Sequence, residues 1–181
     1  MADNLLDRFI AQVQSEWAPI NTQLVQACRS QMASLTLAKP AEQWLAALHS
    51  ERPASRELHR DREHGFMLLA HTETQGLYRL PHDHGRAWVV YGVQSGALEI
   101  STYAKVVDAA GRVQLVQRET SVLCPGEARI YLPGDIHDTR CLSDTALLFR
   151  FTERDLRHED QVEHRLTRYV EREGVWTAQP K

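Results

Sequence analysis

The segment Pro81-His82-Asp83-His84-Gly85 places two imidazoles one residue apart. On a β-strand successive side chains alternate between faces, so His82 and His84 are expected to point the same way and offer two neutral nitrogens to one ion. Two ligands do not make a site. The third candidate is His137, which follows the turn-forming pair Pro133-Gly134 on what reads as the next strand. Together they offer three neutral imidazoles to one ion. Such a neutral set leaves the full charge on a divalent ion and about three coordination positions open. Imidazole suits Fe(II), Zn, Ni, Mn and Cu alike, so the donor type does not choose the metal.

These ligands need a rigid scaffold, and the chain supplies one from Gly65 onward. Short apolar runs (FMLLA, AWVVYGV, ALEISTY, VQLVQ, ARIYL, TALLFRF) are separated by turn-rich TQG, QSG, DAAG, CPGE, LPGD and LSD. That texture predicts an all-β sandwich or barrel over residues 65–152. Residues 1–52 read instead as helices that cap it. Leu5, Leu6, Phe9, Ile10, Val13 and Trp17 form one apolar stripe, with Asp3 or Asn4 as its cap. Leu24, Val25, Cys28 and Met32 form a second. A third helix is expected to begin at Pro40 and to carry Trp44, Leu45 and Leu48. In the extension 153–181, Leu156, Val162, Leu166 and Tyr169 could form a helix. RLTRYVEREGVWTA could instead turn at Glu173-Gly174 as a hairpin, the reading favoured here. The whole chain, 1–181, is read as one domain.

The 181 residues carry 21 basic and 24 acidic side chains, a net charge of −3. That balance gives no reason to expect nucleic acid or an anionic membrane as partner. There is no stretch long and apolar enough for a membrane span, and the acidic, amphipathic start does not resemble a secretory signal. Cys28, Cys124 and Cys141 are odd in number and lack CxxC spacing. They read as free thiols of a cytoplasmic protein, packed as small buried hydrophobes.

The two histidine segments together resemble the cupin superfamily, whose first motif reads G-x5-H-x-H-x3,4-E-x6-G and whose second reads G-x5-P-x-G-x2-H-x3-N. Here His82, His84 and Gly96 represent the first, and Gly126, Pro133 and His137 the second, with Gly134 one place early. The resemblance implies a double-stranded β-helix, the jelly-roll barrel, with the helices packed on it. The family's glutamate would fall near Trp88 or Val89, and its final asparagine at Cys141, a candidate fourth ligand.

Among three-histidine cupins the chain is most similar to the thiol dioxygenases, the cysteine and 3-mercaptopropionate dioxygenase group. The likeness runs roughly from Arg56 to Phe151, through Leu58-His59-Arg60-Asp61, Phe66-Met67-Leu68-Leu69, Pro81 to His84, and Pro133-Gly134 to His137. It implies a non-haem Fe(II) enzyme that takes a small anionic thiol and O2 to a sulfinic acid, as a monomer or homodimer. It also implies an upstream arginine for the substrate carboxylate, Arg56 or else Arg60, although both also read as solvated charge. The group's Ser-x-His-x-Tyr relay has no counterpart in Thr145 to Phe151, and its cross-linking cysteine would fall near Val89. Two rivals stand beside this reading. One is a three-histidine oxygenase that cleaves a diketone or aromatic acid, and the other a non-catalytic metal- or ligand-binding cupin.

Several residues could rebuild the missing relay. Arg86 lies two places beyond His84, so a straight strand would aim it into the same cavity, unless Gly85 introduces a bulge. Arg150 lies on the strand after His137. Tyr78 shares the parity of His82, and Tyr91 and Tyr103 fit either barrel packing or the site. Trp88 reads as core or pocket wall and His71 as a strand residue with a local partner. His59 and His64 read as surface, and His49, His158 and His164 carry no assigned role.

Overall fold

Residues 4–178 are described by a computed structural model; Asp3, one of the two candidate caps, lies outside them. Asn4 caps α1 (Leu5–Glu16), its side chain accepting from the Asp7 N–H at 2.8 Å. Asn21 does the same for α2 (Thr22–Leu35). The third helix, α3 (Gln43–Glu51), begins later than Pro40: residues 40–42 form a turn, and Glu42 takes the N-cap position. The Glu42 carboxylate accepts from the Leu5 N–H and from the Trp44 indole, so it ties two helix starts together.

Nine strands follow: β1 (Arg56–Arg60), β2 (Met67–Thr74), β3 (Tyr78–His82), β4 (Val89–Ser95), β5 (Leu98–Val107), β6 (Val113–Leu123), β7 (Ala128–Tyr131), β8 (Ile136–Cys141) and β9 (Thr145–Thr152). One sheet has the order β1-β2-β9-β4-β7, and β3-β8-β5-β6 lie side by side in the other, with every pairing antiparallel. This alternation of strands between two facing sheets is the jelly-roll barrel. The β-structure starts earlier than Gly65, because the polar run after Ser55 is the edge strand β1. Leu58 is the only apolar residue of that strand, packing on the helix-side core, so little hydrophobic signal marks it.

Period-two alternation gives the first sheet two apolar faces. Phe66, Leu68, Ala70, Trp88, Val90, Phe149 and Phe151 face the helices and meet Phe9, Val13, Leu24, Met32 and Leu45. Trp88 belongs to that core, with its ring 4.9 Å from Phe151. On the opposite face Val89, Tyr91, Val93 and Leu148 meet Leu98, Ile100, Leu123 and Cys141 of the second sheet. Gly96 turns β4 into β5 at φ +77, and a Cβ there would lie 2.4 Å from the Thr145 carbonyl oxygen.

The last segment forms both a short helix and a hairpin. Helix α4 (Leu156–Gln161) precedes β10 (Tyr169–Arg172) and β11 (Val175–Ala178), which turn at Glu173-Gly174, both with positive φ. The β11 strand joins β6, and a bridge between His82 and Arg168 brings the start of the hairpin to β3. All three cysteines are free; Cys28 and Cys141 are buried, but Cys124 is exposed in the turn after β6. Burial pushes the Cys28 thiol up to about 12. No described helix is long and apolar enough to cross a membrane.

Candidate metal centre

His82 ends β3 and His137 is the second residue of β8, and the two are direct cross-strand partners. The Pro133-Gly134 turn leads from β7 into β8 and is closed by the Asp135 N–H donating to the Leu132 carbonyl while the Asp135 carboxylate accepts from the Leu132 N–H. His84 does not continue the strand. It lies in the loop after His82, yet its ring turns back to the pair. Ring centroids are 4.8 Å apart for His82 and His137, 5.0 Å for His84 and His137, and 5.2 Å for His82 and His84. One nitrogen from each falls within 4.8 Å of the others. Ligands at ~2.1 Å from a shared ion sit closer together than that, so the rings close inward by about 1 Å to hold one.

The donor chemistry fits a cation. Burial holds all three imidazoles below their usual range, and His82 acts further on both partners. Neutral imidazole is the ligating form. The His82 Nδ1–H donates to the Leu80 carbonyl at 2.7 Å, which leaves Nε2 with its lone pair toward the other rings. His84 Nδ1 and both nitrogens of His137 are buried with no hydrogen-bond partner among the described residues. Such orphaned groups are costly unless a ligand satisfies them. Cys141 is not part of the cluster; its thiol donates to the Ser143 carbonyl at 3.2 Å.

Two tyrosines complete the surroundings. Tyr91 places its hydroxyl 3.2 Å from His84 Nε2. Burial raises its hydroxyl, while Arg150, its cross-strand neighbour, lowers it by charge and by a hydrogen bond. Tyr131 stacks on His137, with centroids 3.8 Å apart at 24°. Tyr91 was legible only as a strand residue that fits either barrel packing or the site. The only signal for Tyr131 was its place two residues before Pro133. Tyr78 and Tyr103 donate their hydroxyls to the buried Asp138 carboxylate, at 2.9 and 2.6 Å.

A cavity of about 430 Å³ opens beside His82 and His84, walled by Tyr91, Arg150 and His71, with α4 and Arg168 at its mouth. The three expected substrate arginines part company here. Arg150 lines this space, and its Nε is buried and unpartnered among the described residues. Arg56 does not. Its register partner is Ala70, on the helix-facing side of the sheet, and its guanidinium pairs with Glu51. Arg60 is held by Glu57 and Asp155 at 2.9 Å each.

Arg86 is also absent from the wall. Gly85 turns the chain at φ +62, and Arg86 swings out to Glu159 of α4 at 2.9 Å. The strand parity expected to aim it inward ends at His82. The structure adds charged residues that sequence reasoning missed: Glu73, buried and bound to Arg79 at 2.7 Å, and Asp160, bound to Arg168. His71 is buried and neutral, its imidazole pushed down to about 3 by burial and then by Arg150 and Arg79. His59 and His64 are half-buried rather than on the surface, and His64 stacks on Trp17.

No family model matches the chain, and no curated protein matches it in sequence. Among solved structures it is similar to KdgF from Halomonas sp. (20% identity, 56% of this chain and 80% of that one, TM-score 0.43). It is also similar to the cupin domain of Cnp3 from Schizosaccharomyces pombe (10%, 59% and 68%, 0.44). A third is oxalate oxidase solved with the substrate analogue glycolate (18%, 55% and 50%, 0.40). At these identities and scores no residue's role passes from those proteins to this one.

Proposed function

We propose that this chain is a non-haem Fe(II)-dependent dioxygenase that converts a small anionic thiol and O2 to the corresponding sulfinic acid. The supporting observation is the convergence of three neutral imidazoles, with no carboxylate among them, of which His82 and His84 line a cavity walled by Arg150. His82, His84 and His137 would hold the ion. Bound there, Fe(II) supplies a redox-active Lewis acid able to accept a thiolate and O2.

The rest of the work falls to the protein. Arg79 and Arg168 are matched in ion pairs by Glu73 and Asp160, whereas Arg150 has no carboxylate within ion-pair distance among the described residues. Arg157, also without a carboxylate partner among the described residues on that wall, is exposed, so Arg150 with its buried Nε is the group that attracts and orients an anionic substrate. The Tyr91 hydroxyl, between His84 and Arg150, is placed to hold or pass the thiol proton, the task left by the missing Ser-x-His-x-Tyr relay. The reaction adds both atoms of O2 to sulfur and needs no further reductant.

The test is O2 uptake by Fe(II)-loaded protein with cysteine, 3-mercaptopropionate and cysteamine. Uptake with the two acids, and at least ~10-fold less with cysteamine, is expected if an arginine orients the substrate. No uptake with any of the three would remove the sulfur chemistry.

A further inference from the structure

A second cavity, about 420 Å³, lies against the first: His71, Arg79, Arg150, Leu156 and Arg157 line both, so only side chains separate them. Its wall carries four arginines, Arg60, Arg79, Arg150 and Arg157, against two carboxylates, Glu57 and Asp155. Both carboxylates are already bound to Arg60. Arg150 and Arg157 have no carboxylate within ion-pair distance among the described residues. The surplus of positive charge favours an anion.

The polar atoms on that wall agree. His71 Nε2, Arg150 Nε and Thr152 Oγ1 are all buried without a hydrogen-bond partner among the described residues. Thr152 is 1% exposed and His71 8%. The guanidinium always donates and the hydroxyl can by rotation, whereas neutral His71 uses its one N–H on the Ala54 backbone and offers Nε2 as an acceptor. Thr152 and Arg150 come together because they alternate along β9, while His71 lies opposite Leu148 on the adjacent strand β2. Two donors on one face of β9, with net positive charge around them, form a cradle for an oxyanion. The first cavity alone already has the volume of a small-ligand pocket, and Thr152 lines only the second.

We propose that this second cavity is a carboxylate subsite, and that the substrate is an elongated thiol acid whose sulfur end occupies the histidine cavity and whose acid end is held by Thr152 and Arg150. The proposal rests on the reading of the histidine cavity as the reaction chamber.

It is tested by anaerobic calorimetric titration of the Zn(II)-loaded protein with 3-mercaptopropionate, 6-mercaptohexanoate and 6-mercaptohexanol. The expected result is that 6-mercaptohexanoate binds at least ~10-fold tighter than either of the others. Thr152→Val keeps the shape and removes only the hydroxyl. It should abolish most of that advantage, leave 3-mercaptopropionate binding unchanged and not lower the thermal midpoint. Equal affinity for the acid and the alcohol, or an advantage that survives Thr152→Val, would overturn the subsite and leave a cavity for water. Titration of metal-free protein with adipate separates the two readings. If no metal binds but adipate does so in a Thr152-dependent way, the metal reading fails and the carboxylate subsite stands. If metal binds and adipate does not, the reverse holds.

Discussion

Neither nitrogen of His137 has a hydrogen-bond partner among the described residues and His84 meets the Tyr91 hydroxyl at Nε2, whereas His82 Nδ1 donates to the Leu80 carbonyl. That contact fixes its tautomer, while His84 and His137 are oriented by packing and by aromatic neighbours. All three are needed to close a site, so His137→Ala should lower bound metal from about one ion per chain to under ~0.1. Metal analysis after reconstitution and desalting reads this directly. Retention of stoichiometric metal would show that His137 is not a ligand. Tyr91 makes a different prediction. Tyr91→Phe removes one hydroxyl from a packed ring, so metal content and thermal midpoint should hold while kcat for the preferred thiol falls ~10–100-fold. An unchanged kcat would mean that the phenol only fills space.

Turns decide where the elements deliver these groups. The β4–β5 turn depends on Gly96, where φ is +77 and the Thr145 carbonyl leaves no room for a methyl. Gly96→Ala adds left-handed strain to a clash with backbone, and should cost about 3 kcal/mol. Urea unfolding of the metal-free protein measures it, and a loss under about 0.5 kcal/mol would show that the turn relaxes freely. The turn at Gly85 acts on function instead. It ends the parity of β3, returns His84 to the cluster and sends Arg86 to Glu159. Burial works against the Glu159 carboxylate, but the hydrogen bonds from Arg86 hold it below the usual range. That pairing anchors α4, whose residues form the cavity mouth.

At the scale of the whole molecule, burying four imidazoles makes stability depend on pH. His71 is pushed down to about 3 from the ordinary imidazole value of 6.5, and His82, His84 and His137 are also lowered. Between those limits the unfolded chain binds protons that the folded chain refuses, so acid favours unfolding. Stability of the metal-free protein should therefore be full above about pH 6.5 and fall steadily as pH drops toward 3. Calorimetric midpoints across pH 4–7.5 check the sign. A midpoint that stayed level or rose on acidification would contradict the burial of these rings.

The sequence by itself determined the strand-rich barrel, the helical layer before it, the closing hairpin and the three histidines. Each of these is written in local periodicity, turn residues or spacing, which a folded chain must respect. The arginines were another matter. Arg56, Arg86 and Arg150 look equivalent in one dimension, and only register, a left-handed glycine and a buried glutamate separate them. A charged side chain has no preferred face of its own; it goes where tertiary structure offers a partner or a cavity. The second cavity was illegible for the same reason, since His71, Arg150 and Thr152 line one space only once β2 and β9 are paired.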